Sequence, residues 1–173
     1  EILLWDPVHR LEGDSRNQKL SLNGLMTVRP IPAGLIGYKG VDKDRNIFYI
    51  TGAWEVPGGT DEAICFVEDL VADRDIKSIW IEKKAAQETL APWLEERGRV
   101  KGVHVRSQKI PSTALTNRLM GLVTAMRKGL LRISPKVEGK ELLLRRFHEY
   151  PLSDSDDLLA AAALLSSMIE RRG

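Results

Sequence analysis

Apolar and polar positions along this chain predict strands first, then helix and strand in alternation, then helices. Ile2 to Trp5 is a short apolar run that meets Asp6-Pro7, where proline has no N–H to offer a ladder, so it predicts a buried strand ending in an acid. After a polar stretch over positions 8 to 24, Leu25 to Val28 and Leu35 to Val41 carry strand-like apolar positions, parted by Pro30 and Pro32. Asp42 to Asn46 is a polar turn, and Ile47 to Val56 brings Phe, Tyr, Ile and Trp. The pattern predicts a hairpin over Leu35 to Val56, ended by Pro57-Gly58-Gly59.

Thr60 is the expected cap of a helix whose apolar residues Ala63, Ile64, Val67, Leu70 and Val71 recur at spacings of three and four. Ser78 to Glu82 predicts a short strand, Ala85 to Arg97 a helix stopped at Gly98, and Val100 to Val105 another strand. Ser112 or Thr113 opens a longer helix to Gly129, Leu130 to Ile133 is a brief strand or turn, and Glu141 to Tyr150 is a short helix. Pro151-Leu152-Ser153-Asp154 leads into a final alanine- and leucine-rich helix up to about Arg171. This order predicts an α/β fold: a mixed sheet with an antiparallel three-stranded start, parallel strands joined by crossover helices, and helices on both faces.

With 173 residues, 43% of them hydrophobic, the chain can bury one ordinary core, and a single domain is expected. It opens directly in a strand, which points to a fragment of a longer protein. Charge arrives within six residues and no apolar run reaches membrane length, so the reading is soluble and intracellular. One cysteine, Cys65, excludes an internal disulfide and a thiolate zinc site, and its apolar neighbours predict a buried thiol. The four tryptophans, Trp5, Trp54, Trp80 and Trp93, fall on apolar positions and read as core. A net charge of +2 announces no polyanion partner, but acids dominate positions 61 to 75. Lys101, Arg106, Lys109, Arg118, Arg127, Lys128, Arg132, Lys136 and Lys140 make a basic middle that either meets phosphates or is a solvated surface. No phosphate-binding Gly-x-x-x-x-Gly-Lys-Ser/Thr loop occurs, so ATP hydrolysis is not expected.

Three acidic positions lie at element ends. Asp6 ends the first strand, Glu82 ends the Ser78 to Ile81 strand, and Asp156-Asp157 sit in the first turn of the last helix. Each has a structural reading as a loop acid or helix cap. The run Ser153-Asp154-Ser155-Asp156-Asp157, however, holds three acids where a cap needs one, and a cation offsets crowded like charges. If the three places meet, carboxylate oxygens without cysteine or clustered histidine favour Mg²⁺ or Mn²⁺ over zinc. His9, His104 and His148 show no paired spacing and read as non-ligands. Two such ions about 3.5 to 4 Å apart activate water and stabilise the leaving oxygen of a phosphodiester displacement.

The strand ending Leu4-Trp5-Asp6-Pro7 with Gly13-Asp14-Ser15 after it, the strand Ile79-Trp80-Ile81-Glu82, and the closing Asp156-Asp157-Leu158-Leu159-Ala160-Ala161 together resemble the C-terminal nuclease domain of phage large terminase subunits. That family shares a ribonuclease H-like fold with integrases and junction resolvases. The resemblance spans nearly the whole chain and implies that Asp6, Glu82 and one or both of Asp156 and Asp157 bind the metals. Asp157 is preferred, and Asp14 is an outer-shell acid at most. Where the family often has a further Asp, this chain has Ala160 or Ala161. Lys83 and Lys84 beside Glu82 either hold a phosphate or tune the acids, Lys83 being the candidate DNA contact, or are solvent-facing lysines, and the resemblance implies that Lys109 and Arg118 contact the DNA backbone.

The activity so implied is metal-dependent cutting of concatemeric viral double-stranded DNA during packaging, with little sequence preference. The implied partners are a terminase ATPase domain, the small terminase subunit and the portal protein, in the cytoplasm of the infected host. A junction-resolvase-like nuclease and a degenerate module that only binds DNA or a portal are the alternatives.

Overall fold

The computed structural model describes residues 1–7, 22–37, 40–82, 94, 96, 102–109 and 113–170. Six strands form one mixed sheet: β1 Ile2–Asp6, β2 Asn23–Pro32, β3 Asn46–Val56, β4 Ser78–Glu82, β5 His104–Gln108 and β6 Leu131–Glu138, in the order β5-β4-β1-β2-β3-β6. β1, β2 and β3 pair antiparallel, while β1/β4, β4/β5 and β3/β6 are parallel. Among the described residues five helices accompany the sheet: α1 Ala33–Ile36, α2 Thr60–Asp73, α3 Leu115–Arg127, α4 Lys140–Glu149 and α5 Asp157–Glu170.

Strand alternation sends neighbouring residues to opposite faces, and each face has its own core. On one face Leu4, Met26, Val28, Phe48 and Ile50 pack with α3, α4 and α5. On the other, Leu3, Trp5, Leu25, Ile79 and Ile81 pack with Ala63, Ile64 and Val67 of α2 and with Leu94. The expected α/β class, with a mixed sheet and helices on both faces, is what the structure has. Helix α5 is buried nearly all round, because its alanines let it lie close on the sheet.

Several boundaries differ from the sequence expectation. Leu35 to Val41 is not the first arm of a hairpin: Ala33–Ile36 is one helical turn, closed by Gly37 at φ 64°, and Leu35 is 80% exposed. The partner of β3 is β2, which runs on through Pro30 and Pro32. Prolines are tolerated there because the ladder to β1 ends at Val28, leaving no neighbour on that side that needs their N–H. β6 is an eight-residue strand rather than a brief turn, and it holds Pro135 because it lies at the sheet edge. β5 begins at His104 and ends at Gln108, later than the predicted Val100 to Val105. Helix α2 starts at Thr60 itself, after Gly59, whose N–H donates to Glu62 Oε2 at 2.8 Å. Helix α3 starts at Leu115, after Thr113, and Cys65 is exposed on α2 rather than buried. The helix expected over Ala85 to Arg97 lies outside the described residues except for Leu94 and Glu96, as do Asp14, Lys83, Lys84, His9, Trp93 and Lys101.

Candidate functional site

β1 and β4 are parallel neighbours in register from Ile2↔Ser78 to Trp5↔Ile81. One step further on, each strand ends in a carboxylate, Asp6 and Glu82. Residues of equal parity share a face, so Asp6 goes with Leu4 and Glu82 with Trp80, both of which belong to the core under α5. The two acids therefore stand side by side on that face, about one strand spacing of 4.8 Å apart along the sheet. Both are buried, Asp6 at 2% exposure and Glu82 at 8%.

The start of α5 arrives at the same edge of the sheet. Asp6 pairs with Gly24 of β2, and a Cβ on Gly24 would run into the Asp157 carbonyl and stand 2.6 Å from the Leu158 nitrogen. Asp157 Oδ2 accepts the Leu22 backbone N–H at 2.7 Å and the Ser155 hydroxyl at 2.9 Å. Asp156 Oδ1 accepts the Ser153 hydroxyl at 2.7 Å, and its carbonyl accepts Ala160 N–H at 2.8 Å, the first turn of α5. The crowding expected in this acid run is thus answered locally. Ser153 and Ser155 are buried donors, while Asp154 is exposed.

Asp6, Glu82 and Asp157 are in this way brought to one end of the sheet on one face. Among the described residues, however, no three His, Cys, Asp or Glu side chains stand close enough together to hold one ion. His104 and His148 are exposed.

Sequence reasoning missed Gln108. It pairs with Glu82 in the parallel ladder, shares the face of Arg106, whose guanidinium lies 5.4 Å from the centroid of the Trp80 ring, and is only 3% exposed. Neither its amide oxygen nor its nitrogen has a hydrogen-bond partner. An uncharged amide carries no signal in a charge pattern, and the apolar pattern ends the strand at Val105, before Gln108.

Of the expected DNA contacts, Lys83 lies outside the described residues. Lys109 is exposed just past β5. Arg118 stands on α3 with Nε and Nη1 buried and unpartnered. Helix α3 approaches α5 near Gly121, where a Cβ would be 3.5 Å from Ser166 Cβ. Ser166 is nine residues beyond Asp157, roughly 13 Å along the helix at 1.5 Å per residue. Of the tryptophans, Trp5 is core as expected, while Trp54 and Trp80 are half-buried beneath the guanidinium groups of Arg74 and Arg106.

Comparison with known protein families and with curated proteins finds no match to this chain.

Proposed function

We propose that this chain is a metal-dependent DNA endonuclease of ribonuclease H-like fold, of the kind that cuts concatemeric viral double-stranded DNA during genome packaging. The observation that carries the reading is the pair of adjacent parallel strands, β1 and β4, each ending in a buried carboxylate on one face beneath the head of α5. In open α/β sheets the crevice beyond the carboxyl ends of the strands is the usual ligand site. The antiparallel β1-β2-β3 unit, extended by parallel β4 and β5, supports the ribonuclease H-like assignment.

Asp6, Glu82 and Asp157, with Asp156 beside it, are the residues that would hold Mg²⁺ or Mn²⁺, because hard anionic oxygens suit these ions. Bound there, such ions would supply water activation and charge neutralisation for in-line phosphodiester hydrolysis. The Leu22 N–H and the Ser155 hydroxyl orient the Asp157 carboxylate. Lys83, Lys109 and Arg118 would hold the DNA backbone without reading bases. A terminase ATPase domain, small subunit and portal are the partners that the sequence resemblance brings to this proposal, with the infected host's cytoplasm as the place of action.

Supercoiled plasmid is the test substrate, incubated with Mn²⁺, with Mg²⁺ and with EDTA, beside Asp6→Ala. Nicking and linearisation that need the ion and vanish in the variant are expected. Cleavage that persists in EDTA or in the variant would overturn the reading. A binding-only module is favoured by one observation, the local hydrogen bonds that already engage Asp156 and Asp157, and DNA binding without cleavage under every ion would select it.

A further inference from the structure

We infer that Gln108 is an ion-binding residue of this site, its amide oxygen adding a neutral donor in the strand-end row of Asp6 and Glu82, beside Asp157 of α5. The inference rests on the metal-dependent reading above. The last residues of β1, β4 and β5 form one row across three parallel neighbours: Asp6, Glu82 and Gln108. Glu82 and Gln108 are registered partners, and alternation puts all three on the face that α5 covers.

A buried carboxamide ordinarily finds partners for its oxygen and its NH2. Gln108 is 3% exposed and has none for either end. Nothing apolar is gained by a glutamine here, since leucine would fill similar space without leaving polar atoms orphaned. A buried amide without partners that sits in line with two carboxylates is explained by a polar occupant shared with them.

The chemistry of the row specifies that occupant. Asp157 Oδ2 at the head of α5 is already engaged by the Leu22 N–H and the Ser155 hydroxyl, whereas the Gln108 amide lies in the strand-end row itself with both ends unpartnered. An amide oxygen is a hard, neutral ligand, accepted by Mg²⁺ and Mn²⁺ and avoided by thiophilic ions. It adds a donor to the carboxylates without adding a further negative charge, which leaves more of the ion's charge for a phosphate. The amide NH2 then remains to donate to a phosphate oxygen of the DNA backbone.

Mn²⁺ binding to the purified chain, measured by calorimetry and by the loss of the free-ion electron paramagnetic signal, tests this without any cleavage assay. Gln108→Leu should weaken Mn²⁺ binding by about tenfold or more, the range seen when a group supporting a metal is removed. It should melt no lower than the parent in EDTA, because it loses no hydrogen bond. Gln108→Glu, which keeps the shape and adds charge, should bind Mn²⁺ more tightly and gain more thermal stability from the ion than the parent does.

If both variants bind Mn²⁺ as the parent does while Asp6→Asn and Glu82→Gln lose it, the role of Gln108 is overturned and the metal site stands. If the parent binds no Mn²⁺, or Asp6→Asn binds it equally well, both are overturned. A large fall in the melting temperature of Gln108→Leu in EDTA would make the amide a structural group instead.

Discussion

Gly24 of β2 and Asp157 at the head of α5 meet backbone to backbone: there is no room for a Cβ between them, and the Asp157 carboxylate reaches back to the Leu22 N–H at 2.7 Å. This contact sets how close α5 lies to the strand beside Asp6. Gly24→Ala should force the helix off the sheet and cost about 1–3 kcal/mol, the usual range for overpacking. Urea unfolding would register the loss as a lower midpoint. Plasmid cleavage should fall as well, since Asp157 moves with its helix. A variant as stable as the parent would mean that α5 does not seat on Gly24.

Neutral isosteres at the strand ends separate chemistry from folding. Asp6→Asn and Glu82→Gln should each reduce Mn²⁺-dependent cleavage by more than about 100-fold, beyond the effect of groups that only support ligands. Their circular dichroism spectra should match the parent's. Loss of the folded spectrum would show that the acids hold the sheet end together.

Arg146 of α4 grips Glu55 of β3 through two hydrogen bonds, Nε to Oε1 at 2.6 Å and Nη2 to Oε2 at 2.7 Å, with both side chains nearly buried. The hydrogen bond to Glu55 raises the guanidinium above its ordinary pKa, so Arg146 stays charged. Arg146→Met should destabilise the chain by about 3–5 kcal/mol, because it strands a buried carboxylate. The double variant Glu55→Leu with Arg146→Met should recover much of that loss. Equal stability of the single and double variants in thermal melts would contradict the pairing.

Lys109→Gln with Arg118→Gln tests the DNA surface. If each residue meets one phosphate, the slope of log affinity against log salt should become shallower by about 1.8, at 0.9 per contact. Fluorescence anisotropy with a labelled duplex measures the slope, and an unchanged value would move the DNA track elsewhere.

Cys65 is exposed on α2, so an aromatic disulfide reagent should titrate one thiol in the native chain without denaturant. Reaction only after unfolding would restore the buried reading.

Local patterns were enough to define β4, α2, α4 and most of α5, because each has a complete period of apolar positions and an end signal of its own. They also located Asp6, Glu82 and Asp157 at element ends, since a charge that interrupts an apolar run is visible in one dimension. The pairing of β3 with β2 was not legible: Leu35 and Ile36 are as apolar as strand residues, and only the absence of a sheet neighbour leaves them outside on a helical turn. The length of β6 and the survival of Pro30, Pro32 and Pro135 inside strands depend on which edges lack a neighbour, a property of the assembled sheet.

By itself the sequence determined the α/β class and the three acids, because periodicity and charge are carried residue by residue. Only the tertiary structure decided that β1 and β4 lie side by side, that α5 closes on Gly24, and that Gln108 stands in the row. Register and face are relations between distant segments, fixed by what each strand can bury against its neighbour, and an uncharged amide becomes conspicuous only when its surroundings leave it without a partner.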